Sequence, residues 1–204
     1  MYIPKYFRIT DNETINKIID TYSFATVISQ HNNEPYATHL PLVLNKMENA
    51  LYGHFARPNK QWTDIENQSV LVIFQGPHCY ISPTWYETSN TVPTWNYVSV
   101  HVYGKLEIIS DEKESMNSLR GLVSKYEPGD SPYHLNDVEP DVINALNKGI
   151  VPFKIHISRI EAKGKLSQNH SKERKQLVIG KLENSPGENE KQIASLMREI
   201  SSDY

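Results

Sequence analysis

The sequence predicts an α+β protein whose antiparallel strands form a barrel-like sheet, with helices at its periphery. Short runs of strand-forming residues follow one another between residues 23 and 109, separated by turn residues. A further alternating run returns at 151–166, and helical patterns occupy the start, the middle and the end of the chain. Strands joined by short hairpins are antiparallel neighbours, and helices outside such a series pack around it.

The first helix is indicated by a T-D-N-E capping box at residues 10–13. The residues behind it repeat at helical spacing and define one apolar face, made of Ile15, Ile18, Ile19 and Tyr22.

The strands begin directly after this helix, at 23–29, 36–44 and 49–56. Short polar stretches join the three runs and predict hairpins. A continuous apolar run at 69–75 predicts a buried strand, after which we expect an aromatic, proline-rich loop. The longest strand is predicted at 94–109, with a possible bulge at Gly104. The total is six or seven strands.

The second half of the chain alternates helices with one returning strand. Asp111 and Glu114 predict a helix that runs to about Lys125, and Pro140 predicts another that stops near Gly149. Two more helices are expected after the strand at 151–166, with a linker at 182–191. We therefore predict a main domain at residues 1–181, with a linker and a C-terminal helix at 182–204 packed on or near it.

Composition narrows the class of protein. The chain has 204 residues, 38% of them hydrophobic, and a net charge of −3. No run approaches the roughly 20 apolar residues that cross a membrane, and the first residues lack a secretory pattern. Because Cys79 is the single cysteine, a disulfide framework is excluded. We expect a cytoplasmic protein without membrane contact. Seven basic and two acidic residues at 154–175 are compatible with phosphate on a cofactor or on nucleic acid, and equally with a solvated strand edge and helix face.

Several segments together resemble one known family, the PaiB proteins. The resemblance lies in YIP (2–4), ATHLPL (37–42), GHFARPNKQW (53–62), VLVIFQGPHCYISPTWY (70–86), VPTWNYVSVHVYG (92–104) and KLSQN (165–169). It is collinear and extends from Tyr2 to about Met197. The resemblance implies an FMN-binding split barrel, a negative regulator of protease synthesis and sporulation, and a homodimer with FMN at the subunit interface.

FMN would need cations and hydroxyls for its phosphate, and two groups of residues offer them. The first follows the strand at 49–56 and contains Arg57, Asn59 and Lys60. The second precedes a predicted helix, whose N-terminus favours anions; it contains Lys165, Ser167, Gln168 and Asn169. The alternatives are surface charge for the first group and simple helix capping by Ser167 or Asn169 for the second.

The flat flavin ring would need apolar faces and amide-like partners. Thr38 and His39 form a polar pair inside an otherwise apolar strand, and His54 and Ala56 share one face of the next strand. Trp62 and Trp95 are candidates for walls of the ring, and Trp85 lies between them in sequence. Each tryptophan alone is equally compatible with a place in the core.

Other kinds of site are not supported by the sequence. The eight histidines and the cysteine lack metal-ligand spacing, and no nucleophile motif, Walker loop or Rossmann fingerprint is present. We therefore predict no catalytic residue and no metal.

Three functions stay open at this point. The first is a PaiB-like repressor, binding DNA directly or indirectly, since no helix-turn-helix pair is recognisable. A flavin-dependent oxidoreductase is the second. A haem-binding split barrel, with His54 or His101 on the iron, is a lesser third.

Overall fold

The structure is a computed structural model that describes residues 1–88 and 90–202, without the side chains of residues 140, 144 and 200–202. The last two residues of the predicted tail, 203 and 204, lie outside this range. The strands are β1 (Arg8–Ile9), β2 (Phe24–His31), β3 (Glu34–Pro41), β4 (Val43–Asn45), β5 (Ala50–Ala56), β6 (Ser69–Ile81), β7 (Thr94–Ile108) and β8 (Ile150–Lys165). The α-helices are α1 (Asn12–Thr21), α2 (Glu112–Tyr126), α3 (Pro140–Lys148), α4 (Lys172–Glu183) and α5 (Glu188–Ser202).

The described strands form one open sheet in the order β3-β2-β6-β7-β8-β5-β4, and β1 pairs with β8. The β2–β3 hairpin is antiparallel from Phe24↔Pro41 to His31↔Glu34. Its turn is made by Asn32 and Asn33, both with positive φ, as a tight hairpin requires. The sheet does not close, and the fold is the predicted α+β split barrel with peripheral helices.

Several predicted details are corrected by the structure. The described strands number eight, because β1 was not recognised and the run predicted as one strand at 36–44 is divided at Leu42 into β3 and β4. β6 continues to Ile81, so the aromatic loop begins six residues later than expected. The helix α1 is capped by the Asp11 carboxylate, which accepts the Thr14 N–H at 2.7 Å, and not by Thr10. Only residues 184–187 remain as a linker, since α4 and α5 extend into it.

The other predicted elements are confirmed. The Asp111 side chain caps α2 by accepting the Glu114 N–H, and Pro140 opens α3. Gly104 lies in β7, where an added Cβ would come within 2.4 Å of the His156 carbonyl oxygen. The close backbone approach explains the glycine, while the bulge stays a prediction.

The chain divides into two compact units. Unit 1 contains residues 1–15, 75–100 and 161–204, and unit 2 contains residues 16–74 and 101–160. In unit 1 the helices α4 and α5 supply buried residues such as Ile179 and Met197. Unit 2 has its own apolar core, in which the rings of Phe55 and Phe153 pack 4.6 Å apart.

Candidate functional site

In unit 2, a closed network of hydrogen bonds surrounds the Gln61 side chain. Gln61 is 0% exposed and sits in a single 3-10 turn, Lys60–Thr63. Its side-chain nitrogen lies 3.0–3.2 Å from three acceptors that share its two hydrogens: the Val27 carbonyl, the Ser29 hydroxyl and the Tyr36 carbonyl. Its own oxygen accepts the Thr38 hydroxyl. Every polar atom of this side chain therefore has a partner inside the unit.

Thr38 and Asn59, both predicted flavin contacts, belong to the same network. The Asn59 amide donates to the Thr38 hydroxyl at 2.8 Å, and the Asn59 carbonyl oxygen accepts the Gln61 backbone N–H at 2.9 Å. Both side chains are half-buried. The network fixes the 3-10 turn against β2 and β3, so these polar groups already serve the fold.

Arg57 is held by backbone carbonyls at the end of α3. Its Nε donates to the Lys148 carbonyl at 2.6 Å and one terminal nitrogen donates to the Ile150 carbonyl at 2.5 Å. The guanidinium also lies 5.8 Å from the ring centre of Trp62, whose indole N–H donates to the Arg57 carbonyl. A cation at the carboxyl end of a helix is stabilised by the helix dipole. The predicted phosphate role of Arg57 stays a prediction, and would use the remaining terminal nitrogen.

The other predicted residues of unit 2 differ in their surroundings. His39 is exposed and bonds the Thr26 hydroxyl at 2.9 Å. His54 has a buried Nδ1 for which the described residues supply no partner, and burial lowers its pKa. Ala56 and Lys60 are exposed at the end of β5 and in the following turn.

In unit 1, the loop after β8 is built by its own side chains. The Gln168 side chain accepts the Leu166 N–H at 2.7 Å and donates to the Gly164 carbonyl at 2.6 Å. Ser167 is buried with φ 64°, and its hydroxyl accepts from the Asn96 amide at 3.0 Å. Asn169 is exposed. The cap of α4 is Ser171, which accepts the Arg174 N–H, so neither Ser167 nor Asn169 is the N-cap.

Lys165 is one of three cations that lie together on one face of unit 1. Arg8 stands directly opposite Lys163 across the β1–β8 pair, and Lys165 lies two residues further along β8. Because alternate strand residues share a face, all three point to the same side. We call Arg8, Lys163 and Lys165 the cation row.

The partners of the cation row are neutral. The Lys163 ammonium donates to the Tyr2 carbonyl at 3.2 Å and lies 5.1 Å from the ring centre of Tyr97. The Lys165 ammonium donates to the Thr94 hydroxyl. Burial lowers the pKa of Lys165, and the nearby Lys163 charge lowers it further. Within the described residues, the cation row has no carboxylate partner.

Three rings lie beside the cation row on the same face, and we call them the ring cluster: His78, Tyr80 and Trp95. The Trp95 ring centre is 5.7 Å from that of His78 and 6.3 Å from that of Tyr80. Trp95 is 51% exposed. Tyr97, which contacts Lys163, follows Trp95 by two residues and shares its face, so it connects the ring cluster to the cation row.

The aromatic loop between β6 and β7 is attached to α4. Arg174 pairs with both carboxylate oxygens of Glu87 and lies over the Tyr86 ring, 5.2 Å from its centre. The His170 ring packs against Tyr86 at a tilt of 38°, with the ring centres 5.4 Å apart. These contacts attach the first part of the loop to α4 and to the turn before it.

No group of three or more potential metal ligands was found among the described residues. In the described part of the chain, no helix is long and apolar enough to span a bilayer.

Sequence reasoning did not select Gln61, Arg8, Lys163 or Tyr97. Lys163 could have been found from the sequence, since it lies at the strand spacing from Lys165. Arg8 could not, because its place opposite Lys163 depends on β1, a strand of only two residues.

The open antiparallel sheet with its peripheral helices is the fold of the split-barrel class. Solved structures of this class share the fold at low identity. The flavocytochrome Anf3 from Azotobacter vinelandii has a TM-score of 0.61 at 20% identity, over 80% of this chain and 72% of that one. The FAD and heme binding protein from Mycobacterium smegmatis has a TM-score of 0.58 at 15% identity, over 78% and 73%.

Sequence comparison gives the family. Residues 1–159 match the model described as "Putative FMN-binding domain". The chain is also 44% identical over 203 residues to "Protease synthase and sporulation protein PAI 2" of Bacillus subtilis (strain 168), covering 98% of this chain and 97% of that protein. The chain therefore belongs to this FMN-binding-domain family, within its PaiB group, as the sequence resemblance indicated.

Proposed function

We propose that this protein is an FMN-binding regulator of the PaiB type that represses protease production and sporulation. The observation that carries the proposal is the 44% identity over 98% of the chain to a Bacillus protein named for these two processes. The similarity includes residues of both units. A regulator of this kind acts in the cytoplasm. A single cysteine agrees with that compartment, because thiols there stay reduced and disulfides are rare.

The chemistry of unit 1 fits a flavin phosphate. A flavin ring needs flat faces, which the ring cluster offers, and its phosphate needs cations free of carboxylates, which the cation row offers. Bound FMN would supply a ring that can accept and return electrons. The chain would hold the ring at Trp95 and the phosphate near Lys165. In unit 2, His54 and Lys60 are predicted contacts whose polar atoms the Gln61 network does not use.

An absorption spectrum of the purified protein tests the cofactor. We expect a flavin spectrum, or uptake of FMN by colourless protein at micromolar concentration. A haem Soret band would favour the haem alternative. Failure of the colourless protein to take up FMN would contradict the proposal.

The regulatory part is tested in cells and on DNA. Deletion of the gene should raise secreted protease activity and spore counts, and restoring the gene should reverse both. If repression is direct, the protein should retain its promoter DNA in low salt and release it as salt rises. Unchanged protease and spore counts after deletion would contradict repression. Rapid bleaching of bound FMN by NADH or NADPH would instead favour the oxidoreductase alternative.

We also propose that the protein is a homodimer, as the resemblance implies. Sedimentation equilibrium should give twice the mass of the 23.5 kDa chain. A monomer at micromolar concentration would argue against a dimer that binds FMN at its interface.

A further inference from the structure

A cavity of about 360 Å³ lies inside unit 2, lined by the first turns of α2 and the last residues of α3. We call it the α2–α3 cavity. Its apolar lining consists of the Trp62 ring and the side chains of Ile108, Ile109, Val151 and Pro152. Small-molecule sites typically occupy about 300–1,000 Å³ and combine apolar walls with a few polar groups. The size and the apolar walls of this cavity are therefore those of a ligand site.

Hydrogen bonds fix the walls of the α2–α3 cavity. The Arg57 guanidinium donates to the Lys148 carbonyl at 2.6 Å, and the Trp62 indole N–H donates to the Arg57 carbonyl at 2.8 Å. The Ser115 hydroxyl donates to the Asn147 side-chain oxygen at 3.0 Å and so joins α2 to the end of α3. Walls that are already ordered lose little conformational freedom when a ligand binds.

Polar groups of both charges line the cavity and lack partners among the described residues. The Glu112 carboxylate and the Lys148 ammonium both belong to the lining, yet neither forms an ion pair in the described part of the chain. The Asn147 oxygen accepts the Ser115 hydroxyl, while no described residue accepts from its amide nitrogen. Glu112 and Lys148 also stabilise their helices through the helix dipoles. The Asn147 amide has no such role, so its two hydrogens are available to a ligand.

We propose that the α2–α3 cavity binds an α-amino acid with an apolar side chain. The Lys148 ammonium and the Asn147 amide bind the carboxylate of the ligand, and the Glu112 carboxylate binds its ammonium group. The ligand side chain lies on the apolar walls, where the Trp62 ring favours an aromatic group. The site uses none of the residues that hold the flavin in unit 1. The inference therefore goes beyond the FMN binding and the regulation proposed above and depends on neither.

The two signs of charge distinguish an amino acid from a simple acid or a simple amine. A carboxylate without an amino group leaves Glu112 unpaired and brings a second negative charge near it. An amine without a carboxylate leaves Lys148 unpaired in the same way. Unpaired charges placed against the wrong ligand are a common source of specificity, because a desolvated charge is costly unless it is paired. Glycine satisfies both charges but buries no apolar side chain.

The experiment compares four related probes on the purified full-length chain. They are L-phenylalanine; 3-phenylpropionate, which lacks the amino group; 2-phenylethylamine, which lacks the carboxylate; and glycine, which lacks the side chain. Ligand-observed NMR titration measures the affinities, including weak ones. L-phenylalanine should bind with a dissociation constant below about 1 mM. Each of the other probes should bind at least about 10-fold more weakly.

Variants assign each charge of the ligand to a residue. Lys148→Met should weaken L-phenylalanine by about 10-fold or more without weakening 2-phenylethylamine. Glu112→Gln should weaken L-phenylalanine to a similar extent without weakening 3-phenylpropionate. Lys113→Met, which removes the charge next to Glu112 on α2 but outside the lining of this cavity, is the matched control and should change no affinity.

Several outcomes would overturn the inference. They are no binding of L-phenylalanine at about 10 mM, equal binding of 3-phenylpropionate or 2-phenylethylamine, and unchanged affinity in both variants. Thermal melting without ligand verifies folding, and since Glu112 and Lys148 are exposed residues of different helices, one variant serves if the other does not fold. No measurement here involves flavin or DNA. Failure of this site therefore leaves the proposed function standing, and failure of the proposed function leaves this test unchanged.

Discussion

The Gln61 network of unit 2 and the cation row of unit 1 are both polar, yet they differ in how their charges and dipoles are satisfied. Each polar atom of the Gln61 side chain has a partner within the unit, and the side chain is fully buried. Lys163 and Lys165 have neutral partners only, and they repel each other. Satisfied polar groups stabilise a fold, whereas uncompensated charges are available to a ligand.

The largest effect on stability should come from breaking the Gln61 network. Gln61→Met leaves two buried acceptors, the Val27 carbonyl and the Ser29 hydroxyl, and two half-buried groups without their partner. The free energy of unfolding should therefore fall by about 3 kcal/mol. Urea denaturation measures this change, with Lys60→Met as the neutral control from the same turn. A loss below about 1 kcal/mol would mean that the network contributes little.

The next effect concerns Arg57, which the sequence assigned to phosphate and the structure places on two carbonyls. Arg57→Met should lower the free energy of unfolding by about 2 kcal/mol, because charged hydrogen bonds to the end of α3 are lost. If these two bonds are the whole role of Arg57, the ratio of FMN to riboflavin affinity should not change. A selective loss of FMN affinity would support the phosphate role predicted from the sequence.

The pH dependence sharpens the comparison further. The pKa of Lys165 is lowered by burial and by Lys163, so its charge is lost at a lower pH than that of an ordinary lysine. The FMN-to-riboflavin affinity ratio should therefore fall as pH rises through this lowered pKa, by at most about tenfold per pH unit. Isothermal titration at several pH values measures the ratio, and Lys165→Met should abolish the dependence.

The same pKa shift makes the stability of the ligand-free protein change with pH in the direction opposite to that of the affinity ratio. Between the lowered folded pKa and the ordinary lysine value, the unfolded chain binds more protons than the folded one. Stability contributed by Lys165 therefore rises with pH across this window. A ligand affinity and a stability that change in opposite directions would distinguish a ligand-binding lysine from a structural one.

The smallest effect concerns the ring cluster. Trp95→Leu should weaken FMN and riboflavin equally, by about tenfold or less, because a stacked aromatic pair contributes roughly 0.5–1.5 kcal/mol. Fluorescence titration of both flavins provides the comparison. A loss for FMN alone would place Trp95 at the phosphate instead of the ring.

Much of the fold could be predicted because each element has a local signal. Asp111 with Glu114 marked the start of α2, and the apolar runs marked the hairpins. The end of β6 was wrong because Gly76 and Pro77 look like a turn in sequence, while the structure places both in a strand. Local signals of this kind cannot show which strand a segment will join.

The candidate site was predicted less completely, since it depends on partners far apart in the sequence. Lys165 was selected from its neighbours in the loop, but its relation to Lys163 and Arg8 depends on the β1–β8 register. Arg57 carries the charge that a phosphate site needs, yet its guanidinium contacts carbonyls more than 90 residues away in sequence. Residue type indicates what a side chain can bind, and only the fold shows what it already binds.

The most direct test of this contrast is the free energy of unfolding of Lys163→Met, measured against the wild type with and without FMN. Without FMN the variant should be at least as stable as the wild type, because a repulsion with Arg8 is removed. With saturating FMN the wild type should gain stability and the variant should gain much less. A variant that is clearly less stable without ligand, yet equally stabilised by FMN, would show that Lys163 serves the fold and would contradict the account.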